Sequence, residues 1–153
     1  MSIVEKPFVL LVDDNEATCT LITAVLQKEF ATEIANDGNE AIEQLKTKQY
    51  AAILLDIRMP LRDGYGVLDY LKEHRPGALR SVIIVTAALA GRELSRVKEY
   101  DIFGVIPKPF DVEELQAAVK QCASPDGNPP FGSTFFRSTM MLLLADLIQK
   151  RLM

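Results

Sequence analysis

The sequence predicts a doubly wound parallel α/β sandwich of five strands and five helices, and three observations predict it. Short β-prone runs recur at residues 7–12, 32–35, 51–55, 81–86 and 102–106. Between and after them lie stretches with apolar residues at helical spacing. Several of the runs are apolar at almost every position, as strands buried on both faces must be. Short connections with right-handed crossovers then bring the strands into one parallel sheet of a domain spanning roughly 120 residues.

Residues 7–12, PFVLLV, open the sheet and end in Asp13 and Asp14. Asn15 or Asp14 can cap the first helix, whose apolar face reads as Cys19, Leu21, Ile22, Val25, Leu26 and Phe30. Residues 32–35 form a weaker second strand. The turn Asn36, Asp37, Gly38 leads into a helix over 39–47 with Ala41, Ile42 and Leu45 inward. Residues 51–55, AAILL, form the central strand, which stops at a single carboxylate, Asp56. Met59, Pro60, Asp63 and Gly64 mark a loop before a helix over 65–74, and Arg75, Pro76 and Gly77 end that helix. Residues 81–86, SVIIVT, are the fourth strand, followed by a helix over 89–100 with Leu94, Val97 and Tyr100 on one side. The fifth strand, 102–106, runs into Pro107, Lys108 and Pro109. Asp111 caps a last helix over 110–121, with Val112, Leu115, Ala118 and Val119 toward the sheet.

This unit spans residues 1–123. Residues 124–134, SPDGNPPFGST, are rich in proline and glycine and read as a linker. Residues 135–153 read as a short amphipathic helical tail, because the apolar stretch is interrupted by Asp146 and falls short of the ~20 residues a membrane span needs. Three roles are open for the tail: packing on its own domain or a second copy, beginning an output region, or a disordered end. The chain has 153 residues, 48% hydrophobic and 25% charged, enough to build a real core. A net charge of −4 gives no basic footprint for gripping nucleic acid directly. The start of the chain does not resemble a signal peptide, so a cytoplasmic location is expected. Cys19 and Cys122 are too widely separated for a C-x-x-C site and read as free thiols.

The strand ends carry the chemistry. Asp13 and Asp14 follow strand one, Asp56 strand three, Thr86 strand four and Lys108 strand five. With strand order 2-1-3-4-5, strands one and three adjoin, and the acidic pair faces Asp56 at the switch point where such sheets bind ligands. Two carboxylates ~5 Å apart at an effective dielectric near 20 repel by about 3 kcal/mol, so three together call for a cation. An all-oxygen donor set suits Mg²⁺, and Lys108 adds a point charge for an anionic group such as phosphate. An aspartate in such a place can act as a nucleophile toward phosphorus, with Thr86 offering a hydroxyl to the transferred group.

These residues resemble the receiver domain of two-component response regulators. The likeness rests on the Asp-Asp pair, a strand ending in D-I-R-M-P with Gly64 eight residues after Asp56, Thr86-Ala87 after strand four, and K-P-F at Lys108. The resemblance implies a flavodoxin-like fold and Asp56 as phosphoacceptor. It implies Mg²⁺ on Asp13, Asp14 and Asp56 with the Arg58 backbone carbonyl, and Thr86 and Lys108 as readers of the phosphoryl group. A cis Lys108-Pro109 peptide is implied as well. The phosphoryl donor would be a histidine kinase or a phosphotransfer protein, and the consequence a change in binding to an unidentified output partner. A homodimer would use the face of the fourth helix, fifth strand and fifth helix, or the tail. The Arg58 side chain reads either as a modulator of phosphoryl lifetime or as a solvated arginine.

The sequence departs from the family at Val105, which stands three positions before Lys108 where an aromatic residue is usual. Phe103 has the same strand parity but lies one step too early, and is the candidate stand-in. Two other functions compete. A haloacid-dehalogenase-like phosphatase also uses aspartate, Mg²⁺ and lysine, but needs its nucleophile in a D-x-D motif after strand one. A receiver-like module that is never phosphorylated would not need these site residues intact.

Overall fold

Unbroken apolar runs place β1 (Phe8–Val12), β3 (Ala52–Leu55) and β4 (Val82–Thr86) in the middle of a sheet covered on both faces. A computed structural model describes residues 5–59, 63–87 and 91–124, apart from the side chains of residues 91, 92 and 94. Its sheet is parallel, in the order β2-β1-β3-β4-β5, with β2 at Ala31–Ala35 and β5 at Gly104–Pro107 on the edges. The helices are α1 (Glu16–Leu26), α2 (Gly38–Thr47), α3 (Gly64–His74), α4 (Gly91–Val97) and α5 (Val112–Ala123). The expected linker and tail, residues 124–134 and 135–153, lie outside the described residues except for Ser124.

Strand alternation divides the core in two. Leu10, Val12, Ile53, Leu55, Val82, Ile84 and Val105 face one layer, filled from α2, α3 and α4 by residues such as Leu45, Leu68 and Val97. Val9, Leu11, Ala52, Leu54, Ile83, Val85 and Ile106 face the other, filled from α1 and α5 by Ile22, Leu26, Leu115 and Val119. Side-chain caps fix where four helices begin. Asn15, Asp37, Asp63 and Asp111 accept backbone N–H bonds from Thr18, Glu40, Gly66 and Glu113 at 2.8–3.2 Å. Of the two residues read as caps for α1, Asn15 serves.

Several expectations are corrected. Leu21 and Val112 were read as inward, yet they are 46% and 39% exposed. Leu21 lies beside the stripe of Cys19, Ile22 and Leu26, and Val112 is the first residue of α5, ahead of the buried stripe that starts at Leu115, so neither reaches the sheet. A 3₁₀ helix, Pro76–Ser81, occupies what reads as a simple helix stop, and its Leu79 is buried. The fourth helix ends at Val97, short of the expected 100, although Tyr100 remains buried.

Phe103 is not a stand-in for an aromatic at 105. Its backbone precedes the regular part of β5 and donates to the Val82 carbonyl at 2.9 Å. The alternation breaks there, and Phe103 packs with the α1 and α5 layer while Val105 packs with the other.

Cys19 and Cys122 are free, as read from sequence, and both are buried. Burial, reinforced by the nearby Asp13 charge, pushes the Cys19 thiol up to about 11, and burial alone pushes Cys122 up to about 12. Both protons are held more tightly in the folded chain than in the unfolded one. Their contribution to stability is therefore complete below about pH 8.5 and is lost as pH climbs toward these values. At pH 8 the native protein should react with a thiol reagent at least ten times more slowly than the urea-unfolded chain, at both cysteines. Rapid stoichiometric labelling of the native chain would show that one thiol is accessible.

Candidate functional site

Strand register builds the site. Val12 of β1 is level with Leu55 of β3, so Asp13 and Asp56 leave adjacent strands side by side. Thr86 is the last residue of β4 and is level with Pro107 of β5, which places Lys108 one step beyond. The backbone ladder continues through these residues. Asp13 N–H donates to Ala35, Asp56 N–H to Val12 and Lys108 N–H to Thr86, at 2.8–3.1 Å. The side chains therefore project from a rigid rim rather than from free loops.

Asp56 is 8% exposed and Asp13 6%, so their charges are largely withdrawn from water. Lys108 Nζ lies 2.7 Å from Asp13 Oδ2 and 3.1 Å from Asp56 Oδ2, bridging the two carboxylates. The other oxygen of each carboxylate is also engaged. Asp56 Oδ1 accepts from the Thr86 hydroxyl and from the Arg58 N–H, both at 3.0 Å, and Asp13 Oδ1 accepts from the Asn15 N–H at 2.8 Å. Burial opposes the charge on Lys108, but the hydrogen bond and charge of Asp13, followed by those of Asp56, outweigh it. The ammonium therefore titrates above the ordinary lysine value.

Asp13, Asp14 and Asp56 offer ligand oxygens that lie within 4.8 Å of one another, with Asp14 exposed at the opening. Three carboxylates match a hard divalent cation such as Mg²⁺, and the exposed member leaves room for water in its shell. Lys108 supplies only one compensating charge, which gives the cation an electrostatic role.

Gly64 opens α3 against this rim, its N–H donating to the Ile57 carbonyl at 2.9 Å. A Cβ there would stand 2.6 Å from Ile57 Cα and 2.7 Å from the Asp56 carbonyl oxygen. Only glycine allows the helix to come so near the backbone of Asp56. The Lys108-Pro109 peptide is cis, in agreement with the expectation.

The five side chains picked out in the sequence, at positions 13, 14, 56, 86 and 108, thus converge on one rim. The sequence model described as the response regulator receiver domain matches residues 9–120. The chain belongs to this family. A receiver domain is a phosphoacceptor module with an acidic Mg²⁺ pocket, and it works with histidine kinases and phosphotransfer proteins.

Among related receiver-containing proteins, the chain is 36% identical over 126 residues to a transcriptional regulatory protein, CpxR homolog, of Haemophilus influenzae. That match covers 78% of this chain and 53% of the relative, so the chain spans about half the length of that protein. It is 32% identical over 112 residues to the chemotaxis protein CheY of Halobacterium salinarum, covering 72% of this chain and 92% of the relative. Among solved structures it resembles the receiver domain of a sensor histidine kinase from Pseudomonas aeruginosa. The TM-score is 0.69 with 26% identity, and the match covers 78% of this chain and 98% of that one. That structure is described with a magnesium ion coordinated in its active-site cleft. A CheY-like receiver from Methanospirillum hungatei shares the fold with a TM-score of 0.72 at 22% identity, covering 78% and 94% of the two chains.

Sequence reasoning did not find two parts of the receiver's rim. Arg58 Nη2 lies 3.3 Å from Glu93 Oε2 of α4, and the Tyr65 hydroxyl donates to the Glu93 backbone carbonyl at 3.3 Å. Glu93 is one of several charged residues in α4, and no local pattern connects it to a residue 35 positions away. Among the described residues no helix is long and apolar enough to cross a membrane.

Proposed function

We propose that the chain accepts a phosphoryl group on Asp56 from a histidine kinase or phosphotransfer protein, in the cytoplasm, and that this changes its binding to an output partner. The observation that carries the reading is the bridge of Lys108 between Asp13 and Asp56, with the Thr86 hydroxyl on the remaining oxygen of Asp56. A carboxylate oxygen of Asp56 attacks phosphorus as the phosphorus–nitrogen bond of the donor phosphohistidine breaks. The electron pair departs with the imidazole nitrogen, which takes up a proton, and an acyl phosphate is left on Asp56.

Asp13, Asp14 and Asp56 would hold Mg²⁺, with the Arg58 carbonyl as a backbone ligand. When bound, the ion supplies positive charge for the oxygens of the transferring group. The two donors on Asp56 Oδ1 fix the rotation of the carboxylate before reaction. Lys108 can leave Asp56 Oδ2 for the new phosphoryl oxygens while keeping Asp13, and the Thr86 hydroxyl can make a corresponding move. The same reading takes residues 1–123 as the receiver unit, 124–134 as a linker and 135–153 as a helical tail. The homodimer surfaces suggested by the sequence, the α4, β5 and α5 face or the tail, belong to this proposal too.

Acetyl phosphate with Mg²⁺ should give one acid-stable, base-labile label per chain, recovered on the peptide that contains Asp56. Continuous release of phosphate from small esters without a stoichiometric label would overturn the assignment in favour of a phosphatase.

A further inference from the structure

Val105 is fully buried, and Phe103 belongs to the opposite core layer, so neither offers an aromatic ring that could move between the site and the α4 surface. Another connection is present. Arg58 is rooted at the site by its N–H bond to Asp56 Oδ1, while its guanidinium reaches across to Glu93 on α4, 3.3 Å from Oε2 and 3.5 Å from Oε1. The same turn of α4 is held to α3 by the Tyr65 hydroxyl on the Glu93 carbonyl and by Arg96, whose guanidinium lies 3.8 Å from the centre of the Tyr65 ring. Tyr65 adjoins Gly64, which touches the backbone of Asp56 and Ile57. Glu93 is thus the point where α4 meets the loop that leaves the site.

We propose that Arg58 is a positioning residue shared between Glu93 and the phosphoryl group, and that its transfer from the first to the second loosens α4 when Asp56 is phosphorylated. The inference rests on Asp56 being the phosphoacceptor. The side chains of the Arg58–Glu93 pair are 57% and 37% exposed, so water screens it and little is lost when it opens. An acyl phosphate presents nearly two negative charges and three acceptor oxygens, more than the single charge of Glu93. A guanidinium suits such an oxygen array better than an ammonium does, because it donates through a planar fork. A long stem anchored beside Asp56 lets the guanidinium make this exchange without moving the backbone of the rim. Glu93, once released, no longer ties its turn of α4 to the loop after β3, and the Tyr65 contacts remain.

The test uses beryllofluoride with Mg²⁺ as the phosphoryl probe and the full chain as the protein. If Glu93 competes for Arg58, Glu93→Gln tightens probe binding about threefold, Arg58→Ala weakens it, and Glu93→Gln has no further effect in the Arg58→Ala background. Arg58→Lys, which retains the charge without the fork, should fall between wild type and Arg58→Ala. Hydrogen exchange over residues 91–97 should rise severalfold on probe binding in wild type and stay unchanged in Arg58→Ala. Equal tightening by Glu93→Gln in both backgrounds, or no tightening in either, overturns the proposal, because a mere loss of negative charge near the site would act regardless of Arg58. An exchange rise that persists in Arg58→Ala, or is absent in wild type, overturns it as well. Asp56→Asn separates the two levels: probe binding that survives this change refutes the phosphoacceptor assignment itself.

Discussion

Asp56→Asn is expected to abolish Mg²⁺-dependent labelling by acetyl phosphate, a loss of at least a hundredfold. The amide keeps the shape of the carboxylate and can retain the hydrogen bond from the Thr86 hydroxyl, but it removes the nucleophilic oxygen charge. It also relieves the repulsion among three clustered carboxylates while Lys108 keeps Asp13, so the variant should unfold in urea at or above the wild-type midpoint. Lost labelling in a chain of undiminished stability assigns the defect to chemistry. Lys108→Ala differs in kind. The nucleophile remains and slower labelling continues, but the phosphoryl group has lost the cation that ties it to Asp13 and β5, so the change in partner binding should disappear. Undiminished labelling of Asp56→Asn would place the phosphoacceptor elsewhere.

Gly64→Ala should cost about 1–3 kcal/mol of stability, read as a lower urea midpoint with an unchanged slope. The cause is contact with backbone rather than with a pliable side chain. The added Cβ would stand 2.6 Å from Ile57 Cα and 2.7 Å from the Asp56 carbonyl oxygen, and α3 must move away from the rim to admit it. That displacement would disturb the peptide that carries Asp56, so the labelling rate should fall along with stability. A wild-type midpoint and rate for Gly64→Ala would mean that the close approach of α3 is readily relieved.

The central sheet was legible because its signal is local and redundant. The stretch AILL admits no solvated face, and VIIVT has only its terminal Thr86 as a polar residue, so burial on both sides follows without knowledge of the partners. The rim was legible for a related reason: in a parallel sheet every strand ends in the same direction, so polar residues that directly follow buried strands must share one side. Edges and ends were harder. Among the described residues β5 pairs with β4 alone, and Ile102 and Phe103 find burial before the strand becomes regular, which broke the alternation that the sequence suggested. Leu21 and Val112 show the opposite failure, because helical spacing identifies a face but not how far the sheet extends beneath it. The Arg58–Glu93 pair was invisible because it is set by how two surface elements meet, and exposed arginine and glutamate carry no sign of their partner.

The ammonium at the rim has a consequence for how the molecule is made. Lys108 reaches Asp13 across 95 residues of chain and Asp56 across 52. A polypeptide still emerging from the ribosome already possesses the Asp56 carboxylate when β3 has formed, yet it lacks the residue that joins the first strand to the last. The complete rim therefore arises late, after nearly the whole domain has been synthesised and docked. Copies that end before β5 carry Asp56 without the Lys108 bridge to Asp13.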